Sequence, residues 1–200
     1  MKFSRIEDAA AFVSAEKPRL VGIVGAPGAG KSTIAAALRS LVPNSALLPM
    51  DGFHFPQQTL VELGRRDRMG APDTFDVDAF VRTLDAVKNS GQTVFAPDFN
   101  RDSEEPVADA ISIEPGVSTV IVEGNYLLLD SGGWEAVRPV LDTSFFVEIE
   151  PSIRRSRLIA RHEKFGKSPA DASAWTLGPD ESNALLVAAT AALADHVIAL

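Results

Sequence analysis

The sequence predicts a doubly wound α/β fold, with helices on both faces of a mostly parallel sheet. Three observations indicate this fold. Short apolar runs alternate with helical patterns, residues 118–124 contain an unbroken Val-Ile-Val run, and residues 25–32 form a glycine-rich loop between a strand and a helix. Strands that alternate with helices are typical of parallel sheets, whose strands are apolar throughout because both faces are buried.

The elements can be predicted in order along the chain. A leading helix is expected within residues 1–18, because its apolar residues recur at helical spacing. Strands are then predicted at 19–25, 45–50, 92–97, 118–124, 143–150 and 196–200. Helices are predicted at 31–41, 77–91, 151–166 and 181–194. Asp76 is the expected N-cap of the helix at 77–91, and Pro151 fits the first turn of the helix at 151–166.

Two segments do not follow this alternation and are expected to be irregular. Residues 52–75 are rich in Gly, Pro and Arg, and residues 97–116 are rich in acids and Pro. Long irregular connections inside a compact α/β domain are more often functional than accidental. With 200 residues and 46% hydrophobic content, the chain can build one core, so we expect a single domain over residues 1–200.

Composition excludes several classes of protein. The net charge of -8 has the wrong sign for a protein that binds nucleic acid mainly through phosphates. The absence of cysteine excludes disulfides, thiolate zinc sites and a thiol nucleophile. The longest uncharged stretch, at 182–194, is shorter than the roughly 18 apolar residues of a membrane-spanning helix. We therefore expect a cytoplasmic protein without a nucleic-acid partner or membrane insertion, and the sequence predicts no oligomeric state.

The loop at 25–32 fits the phosphate-loop pattern of a glycine, four free positions and then Gly-Lys-Ser. The glycines let successive backbone N–H groups point at phosphate oxygens, and the following helix offers its positive N-terminal end. Lys31 is expected to reach the β- and γ-phosphates, and Ser32 to ligate Mg²⁺. The predicted ATP-binding residues are Gly25, Ala26, Pro27, Gly28, Ala29, Gly30, Lys31, Ser32 and Thr33.

Two acids lie where neighbouring strands end. Glu123 closes the strand at 118–124 and is the expected second metal residue. Asp51 follows the strand at 45–50, where a carboxylate could accept the proton of an acceptor hydroxyl in line with the γ-phosphate. The chain has no Asn-Lys-x-Asp element for reading guanine, so the sequence favours ATP over GTP.

Several segments together carry a family resemblance: GAPGAGKST, MDGFHFP, GAPDTFD, VFAPDFNR, VIVEGNYLLL and RRSRLIARHEKFG. Over residues 19–199 the chain resembles the P-loop kinases of the uridine kinase, pantothenate kinase and phosphoribulokinase group. It is most similar to small bacterial kinases described as nucleoside/nucleotide kinase-like or as fructose transport system kinases. The resemblance implies ATP-dependent transfer to a hydroxyl, with Asp51 as the residue that activates the acceptor.

The chain departs from this group in its acceptor motifs. Asp98 and Phe99 stand where the group has a tyrosine-aspartate pair, and the Asp-Ser-Phe-Tyr string of uridine kinases is absent. Pantothenate kinases of this type are much longer than 200 residues. The identity of the acceptor therefore does not transfer from the resemblance.

Basic residues are candidates for both substrates. Arg154, Arg157 and Arg161 share one helical face. The resemblance implies a lid at about 151–180 whose arginines, Arg157 and Arg161 first, stabilise the transferring phosphoryl group; a solvated basic face is the alternative. Arg65 lies in a second basic cluster that suits an anionic acceptor such as a sugar phosphate.

His54, Asp98 and Arg101 complete the predicted acceptor site with Arg65. His162 is expected to be structural. Asn183 is expected to cap the last helix, with a position near the adenine as the alternative. These polar candidates favour a sugar or sugar derivative such as fructose as acceptor. A nucleoside or pantothenate-like kinase, and a regulatory ATPase without a small acceptor, remain the alternatives.

Overall fold

The computed structural model describes residues 1–199 and confirms the parallel α/β fold. Six parallel strands form the main sheet. In their order across the sheet they are β1 (Lys2–Phe3), β8 (His196–Ala199), β7 (Thr143–Glu148), β2 (Leu20–Val24), β6 (Thr119–Gly124) and β3 (Ser45–Pro49). Strands β2 and β6 are buried along their whole length, as their unbroken apolar runs predict.

Helices cover both faces of this sheet. The helices are α1 (Ile6–Glu16), α2 (Lys31–Leu41), α3 (Gln57–Glu62), α4 (Val77–Asn89), α5 (Pro151–Lys164), α6 (Pro169–Trp175) and α7 (Glu181–Ala189). One apolar cluster unites α1 and α2 with one face, and a second unites α4 and α7 with the other. The predicted caps form, since the Asp76 carboxylate accepts from the Ala79 N–H and Pro151 opens α5.

The expectation that residues 97–116 are irregular is wrong. Strands β4 (Val94–Asn100) and β5 (Glu105–Ile113) form an antiparallel ribbon outside the main sheet. Most side chains of β5 are exposed, so its acids are compatible with a strand although they resemble loop composition. Residues 52–75 contain α3 and short 3-10 turns at Arg66–Arg68 and Pro72–Thr74.

The ends of the chain also differ in detail from the prediction. Strand β1 precedes the leading helix and pairs with β8, which the sequence pattern did not indicate. The last helix ends at Ala189 and is followed by a 3-10 turn at Ala191–Leu193. The last predicted strand is observed as far as Ala199, and Leu200 lies outside the described residues.

The sheet brings three strand ends together. Val24 of β2 pairs with Gly124 of β6, and Glu123 of β6 pairs with Pro49 of β3. The phosphate loop follows β2 directly, and Asp51 lies in a 3-10 turn, Met50–Phe53, directly after β3. The carboxyl edge of the sheet therefore places the loop and both acids at one site. None of the helices within residues 1–199 is long and apolar enough to span a bilayer.

Candidate active site

The phosphate loop has a backbone shape that depends on its glycines. Gly28 and Gly30 have φ of +78° and +92°, in the left-handed region that glycine tolerates best. A Cβ on Gly28 would lie 2.7 Å from Cγ of Leu158 and 2.9 Å from the Arg154 carbonyl oxygen of α5. The loop therefore fits closely under the start of α5. Helix α2 begins at Lys31 without a side-chain cap, which leaves its first N–H groups available to an anion.

Lys31, Ser32 and Glu123 form the polar floor of the site. Lys31 is buried, and its Nζ donates to the Ala26 carbonyl across the loop at 3.2 Å. Burial lowers the pKa of Lys31, although Glu123 and Asp51 oppose this effect. The Ser32 hydroxyl donates to Glu123 Oε1 at 2.8 Å. Burial and the nearby Asp51 raise the pKa of Glu123.

The Ser32 and Glu123 oxygens are suitable ligands for Mg²⁺. This ion prefers oxygen donors and is usually bound by one or two carboxylates together with substrate phosphates. Within residues 1–199, no cluster of three or more His, Asp or Glu side chains forms a metal cage. A shared site of protein and phosphate oxygens is the arrangement that these residues fit.

Asp51, in the turn after β3, has two polar partners. Arg101 Nη2 donates to Asp51 Oδ2 at 2.7 Å, and His54 Nδ1 lies 2.8 Å from the Asp51 carbonyl oxygen. Burial by itself raises the pKa of Asp51, but the charges of His54, Arg101 and Lys31 outweigh this and lower it. The carboxylate is therefore held in its ionised, proton-accepting form.

One cleft of about 470 Å³ joins these groups. Its phosphate end is formed by the loop, and the rest is lined by segments that follow β3, β4 and β6 and by the helices after β7. The predicted site residues that line it are Pro27, Gly28, Lys31, Ser32, Asp51, His54, Arg101, Glu123 and Arg161. A cleft lined by a phosphate loop and by a separate carboxylate can hold a nucleotide beside a second small molecule.

Comparisons with known proteins agree with this geometry. No protein-family model matches the chain. A crystal structure described as a putative fructose transport system kinase from Silicibacter sp. TM1040 is 32% identical, covers 98% of this chain and 99% of the other, and superposes with a TM-score of 0.90. The chain belongs to the P-loop kinases of the uridine kinase, pantothenate kinase and phosphoribulokinase group.

Two curated relatives of this kinase support the grouping. A putative uridine kinase of Schizosaccharomyces pombe is 35% identical over 157 residues, which are 72% of this chain and 66% of the relative. A pantothenate kinase of Enterococcus faecalis is 29% identical over 143 residues, which are 68% of this chain and 47% of the relative. The match thus spans less than half of the pantothenate kinase. Kinases of this group transfer a phosphoryl group from ATP, with Mg²⁺, to a hydroxyl.

The three arginines of α5 occupy different places in this kinase. Arg161 lines the cleft. Arg157 lies against the loop, since its Nη1 would be 3.3 Å from a Cβ on Gly30. Arg154 is buried and pairs with Glu181 at the start of α7. Only the first two are therefore placed to contact phosphates directly.

Two predicted acceptor residues, Asp98 and Arg65, lie outside the cleft of the kinase. Side chains alternate along a strand, so Phe99 faces the cleft while Asp98 is exposed and accepts from the Phe99 N–H at 2.8 Å. Arg65 donates to the Asp73 carbonyl at 2.7 Å. Its neighbour Arg66 lines the cleft instead and pairs with Glu104 at 2.6 Å.

The cleft also contains residues that the sequence analysis missed or assigned otherwise. His162 was expected to be structural, and Asn183 to be a cap, yet both line the cleft. Other residues of this kind are Phe75, Asn125, Phe165, Trp175 and Asp180. Phe75 and Asn125 lie within the motifs GAPDTFD and VIVEGNYLLL, and this membership could have identified them. The residues of α6 and α7 carry no such signal, because only the tertiary fold brings them to the cleft.

Proposed function

We propose that the chain transfers the γ-phosphoryl group of ATP to a hydroxyl of a small polar metabolite, a sugar or sugar derivative such as fructose. The observation that carries the proposal is the position of Asp51. Its carboxylate is ionised through Arg101 and shares one cleft with Lys31 and Ser32. A regulatory ATPase has no need of a fixed base beside the phosphate loop.

The loop residues Gly25–Thr33 bind the phosphates through backbone N–H groups, and Lys31 turns from the Ala26 carbonyl to the γ-phosphate. Ser32 and Glu123 would hold Mg²⁺. When bound, Mg²⁺ neutralises charge on the β- and γ-phosphate oxygens. The Ser32 to Glu123 hydrogen bond keeps both ligands oriented before the nucleotide enters.

Asp51 accepts a hydrogen bond from the acceptor hydroxyl and directs its oxygen at the γ-phosphorus. As that oxygen forms its bond to phosphorus, the bond to the β-phosphate oxygen breaks and ADP leaves. The hydroxyl proton passes to Asp51. Most of the rate enhancement in such a site comes from positioning and charge stabilisation, so Asp51 need only be a weak base.

Residues at about 151–180 act as the lid. This segment contains α5, α6 and a π turn at Thr176–Asp180, and it supplies one side of the cleft. Arg161 and Arg157 stabilise the charge on the transferring group from this side. Closure of the segment excludes water, which otherwise competes with the acceptor for the phosphoryl group.

The polar lining around Asp51 supports a sugar as acceptor. His54, Arg101 and Asn125 are groups that bind hydroxyls, and Glu104 stands at the same wall. A nucleoside is the second candidate, because the His54 ring lies 3.8 Å from Phe75 and 4.9 Å from Phe99, centroid to centroid. Such a group of rings suits the stacking of a base. One relative of the chain is named as a uridine kinase.

The test is ATP consumption against a panel of sugars, sugar phosphates, nucleosides, pantothenate and polyols, with Mg²⁺. We expect one acceptor class to stimulate turnover strongly. Lys31→Met should abolish this turnover, and Asp51→Asn should lower it by about three orders of magnitude while ATP still binds. If no acceptor stimulates turnover and Asp51→Asn hydrolyses ATP like the wild type, the chain is a regulatory ATPase.

A further inference from the structure

The end of the cleft formed by α5, the π turn and α7 carries polar groups that the proposed transfer does not use. His162 lies near the end of α5, Asp180 ends the π turn, and Asn183 lies in the first turn of α7. All three line the cleft. Asp180 and Asn183 expose only 7% of their surface each. Buried polar groups of this kind need a partner.

The π turn is what brings Asp180 to this wall. Its backbone is wider than an α-helix, and π turns inside helical segments occur frequently at functional sites. Among residues 1–199 the Thr176 hydroxyl, at the start of this turn, is buried without a hydrogen-bond partner. A local arrangement that sacrifices a buried hydrogen bond calls for a functional explanation.

The free atoms at this wall are hydrogen-bond acceptors. His162 Nε2 lies 2.7 Å from Asp180 Oδ2, and the Asn183 amide donates to the Gly70 carbonyl at 3.3 Å. In the described part of the chain, Asp180 Oδ1 and Asn183 Oδ1 have no hydrogen-bond partner, and neither atom is sealed from the cleft. A ligand at this wall must therefore supply donors.

The charges nearby favour a neutral ligand. The cations that line the cleft already have partners or a role in the transfer. Arg101 pairs with Asp51 and Arg66 pairs with Glu104. Lys167 Nζ lies 4.5 Å from the centroid of the Trp175 ring, and Arg161 is assigned to the transferring phosphoryl group. The carboxylate of Asp180 would repel an anionic group brought close to it. Hydroxyl groups satisfy both requirements, because they donate hydrogen bonds and carry no charge.

We infer that Asp180 and Asn183 form a second recognition site for the acceptor, which binds hydroxyls other than the one that is phosphorylated. The inference rests on the proposed function and narrows the acceptor to a neutral, hydroxyl-rich molecule rather than a phosphorylated one. His162 is a positioning residue that fixes the Asp180 carboxylate. A site with buried acceptor oxygens discriminates strongly against analogues that lack the matching hydroxyl.

The experiment measures kcat and KM for the best neutral acceptor in Asn183→Ala and Asp180→Asn, with thermal midpoint and ATP affinity as checks on folding. The matched control is Leu185→Ala, which shortens an exposed side chain of α7. We expect KM for the acceptor to rise about tenfold or more in both variants. The affinity for ATP and the hydrolysis of ATP without acceptor should stay unchanged. Leu185→Ala should behave as the wild type.

His162 is tested by rescue. His162→Ala should raise the acceptor KM. His162→Gln keeps an N–H donor near the position of Nε2, so its KM should lie close to the wild-type value. A merely structural role of His162 would change the thermal midpoint without separating KM from kcat.

Two outcomes would overturn the inference in different ways. If the wild type phosphorylates an acceptor and both variants keep its KM and its order of preference, the second recognition site is refuted while the proposed function stands. A preference of the wild type for phosphorylated over neutral acceptors would likewise refute the second recognition site and leave the proposed function intact. If the wild type phosphorylates none of the acceptors, the proposed function fails and the inference fails with it.

Discussion

The two ends of the cleft are built in different ways. The phosphate end comes from one continuous segment, Gly25–Thr33, with Glu123 and Asp51 supplied by neighbouring strand ends. The acceptor end comes from segments that are far apart in the chain: the turn after β3, the loop at 66–75, the end of β4 and the helices after β7. Local sequence thus determines where ATP binds, whereas the tertiary fold determines which side chains meet at the acceptor end.

This difference explains why one fold can serve several acceptors. The phosphate loop requires left-handed glycines and a fixed helix start, so substitutions there disturb the shared chemistry. The acceptor wall consists of side chains on short turns and of a partly exposed ion pair, Arg101 to Asp51. Such groups can be exchanged without changing the sheet, and function therefore lies in the site rather than in the fold.

Among substitutions away from the reacting groups, the largest expected effect comes from Gly52→Ala, which should break the junction between the two ends. A Cβ on Gly52 would lie 2.2 Å from the Pro97 carbonyl oxygen of β4, a backbone atom that cannot rotate away. The turn must move, and Asp51 and His54 with it. We expect kcat/KM to fall about 100-fold or more, because a displacement of about 1 Å at a reacting group has this effect.

Gly116→Ala is the matched control for this variant. No atom lies within 4 Å of a Cβ at that position in the described structure. Kinetics and thermal midpoint should both stay close to those of the wild type. Full activity in Gly52→Ala would mean that the close approach of the turn to β4 does not position Asp51.

The contrast between the two ends also shows what the sequence can predict. The loop, both acids and five strands of the main sheet follow from local patterns, because apolar runs and glycine spacing act over a few residues. The sequence predicts Asp98 as the acceptor residue, whereas Phe99 is the one that lines the cleft. The prediction is wrong because the segment lacks a recognisable strand pattern, so the alternation of side chains along β4 could not be used. The sequence does not predict that His162 and Asn183 line the cleft, because α5 and α7 meet only in the tertiary structure.

A second prediction concerns Arg101→Gln and the pH dependence of transfer. Burial raises the pKa of Asp51, whereas the charges of His54, Arg101 and Lys31 lower it. The nearby Asp51 in turn raises the pKa of Glu123. Removal of the Arg101 charge should raise the pKa of Asp51. Since the base must be ionised, kcat/KM should begin to fall at a higher pH than in the wild type. We expect a loss of about tenfold on the acid side.

The pH profile of kcat/KM with a saturating concentration of ATP measures this shift. Arg68→Gln removes the same charge from a residue that pairs with Asp73, and its profile should match that of the wild type. An unchanged acid limb in Arg101→Gln would show that Asp51 is not the group whose ionisation limits transfer.

A third prediction concerns the ion pairs between α5 and α7, which connect the phosphate loop to the acceptor end of the cleft. Glu181 accepts hydrogen bonds from Arg155 and Arg154, which lower its pKa to about 2, and Arg154 also packs on the phosphate loop. The folded pKa lies below the unfolded one, so this contribution to stability is present above the unfolded pKa. It is lost as the pH falls towards about 2.

Glu181→Gln should therefore lower the free energy of unfolding by at least about 1 kcal/mol at neutral pH, because the pair with Arg155 is partly exposed whereas the buried Arg154 would lose its charge partner. Near the folded pKa most of this difference between the variant and the wild type should be lost. Urea unfolding at both pH values measures this difference. Glu163→Gln, which removes an exposed carboxylate from α5, is the control. Equal losses at both pH values would show that Glu181 acts by packing rather than by charge.

The smallest effect is expected for Arg65 and Arg66. From the sequence alone it is not possible to say which of these adjacent arginines lines the cleft. Arg66 faces the cleft and pairs with Glu104, whereas Arg65 holds the Asp73 carbonyl outside it. Arg66→Gln should raise the acceptor KM about threefold, since an ion pair at the rim contributes up to about 1 kcal/mol. Arg65→Gln should leave KM unchanged and lower the thermal midpoint slightly. The opposite order would mean that the loop at 66–75 rearranges when the acceptor binds, and that the acceptor end of the cleft is formed only in the complex.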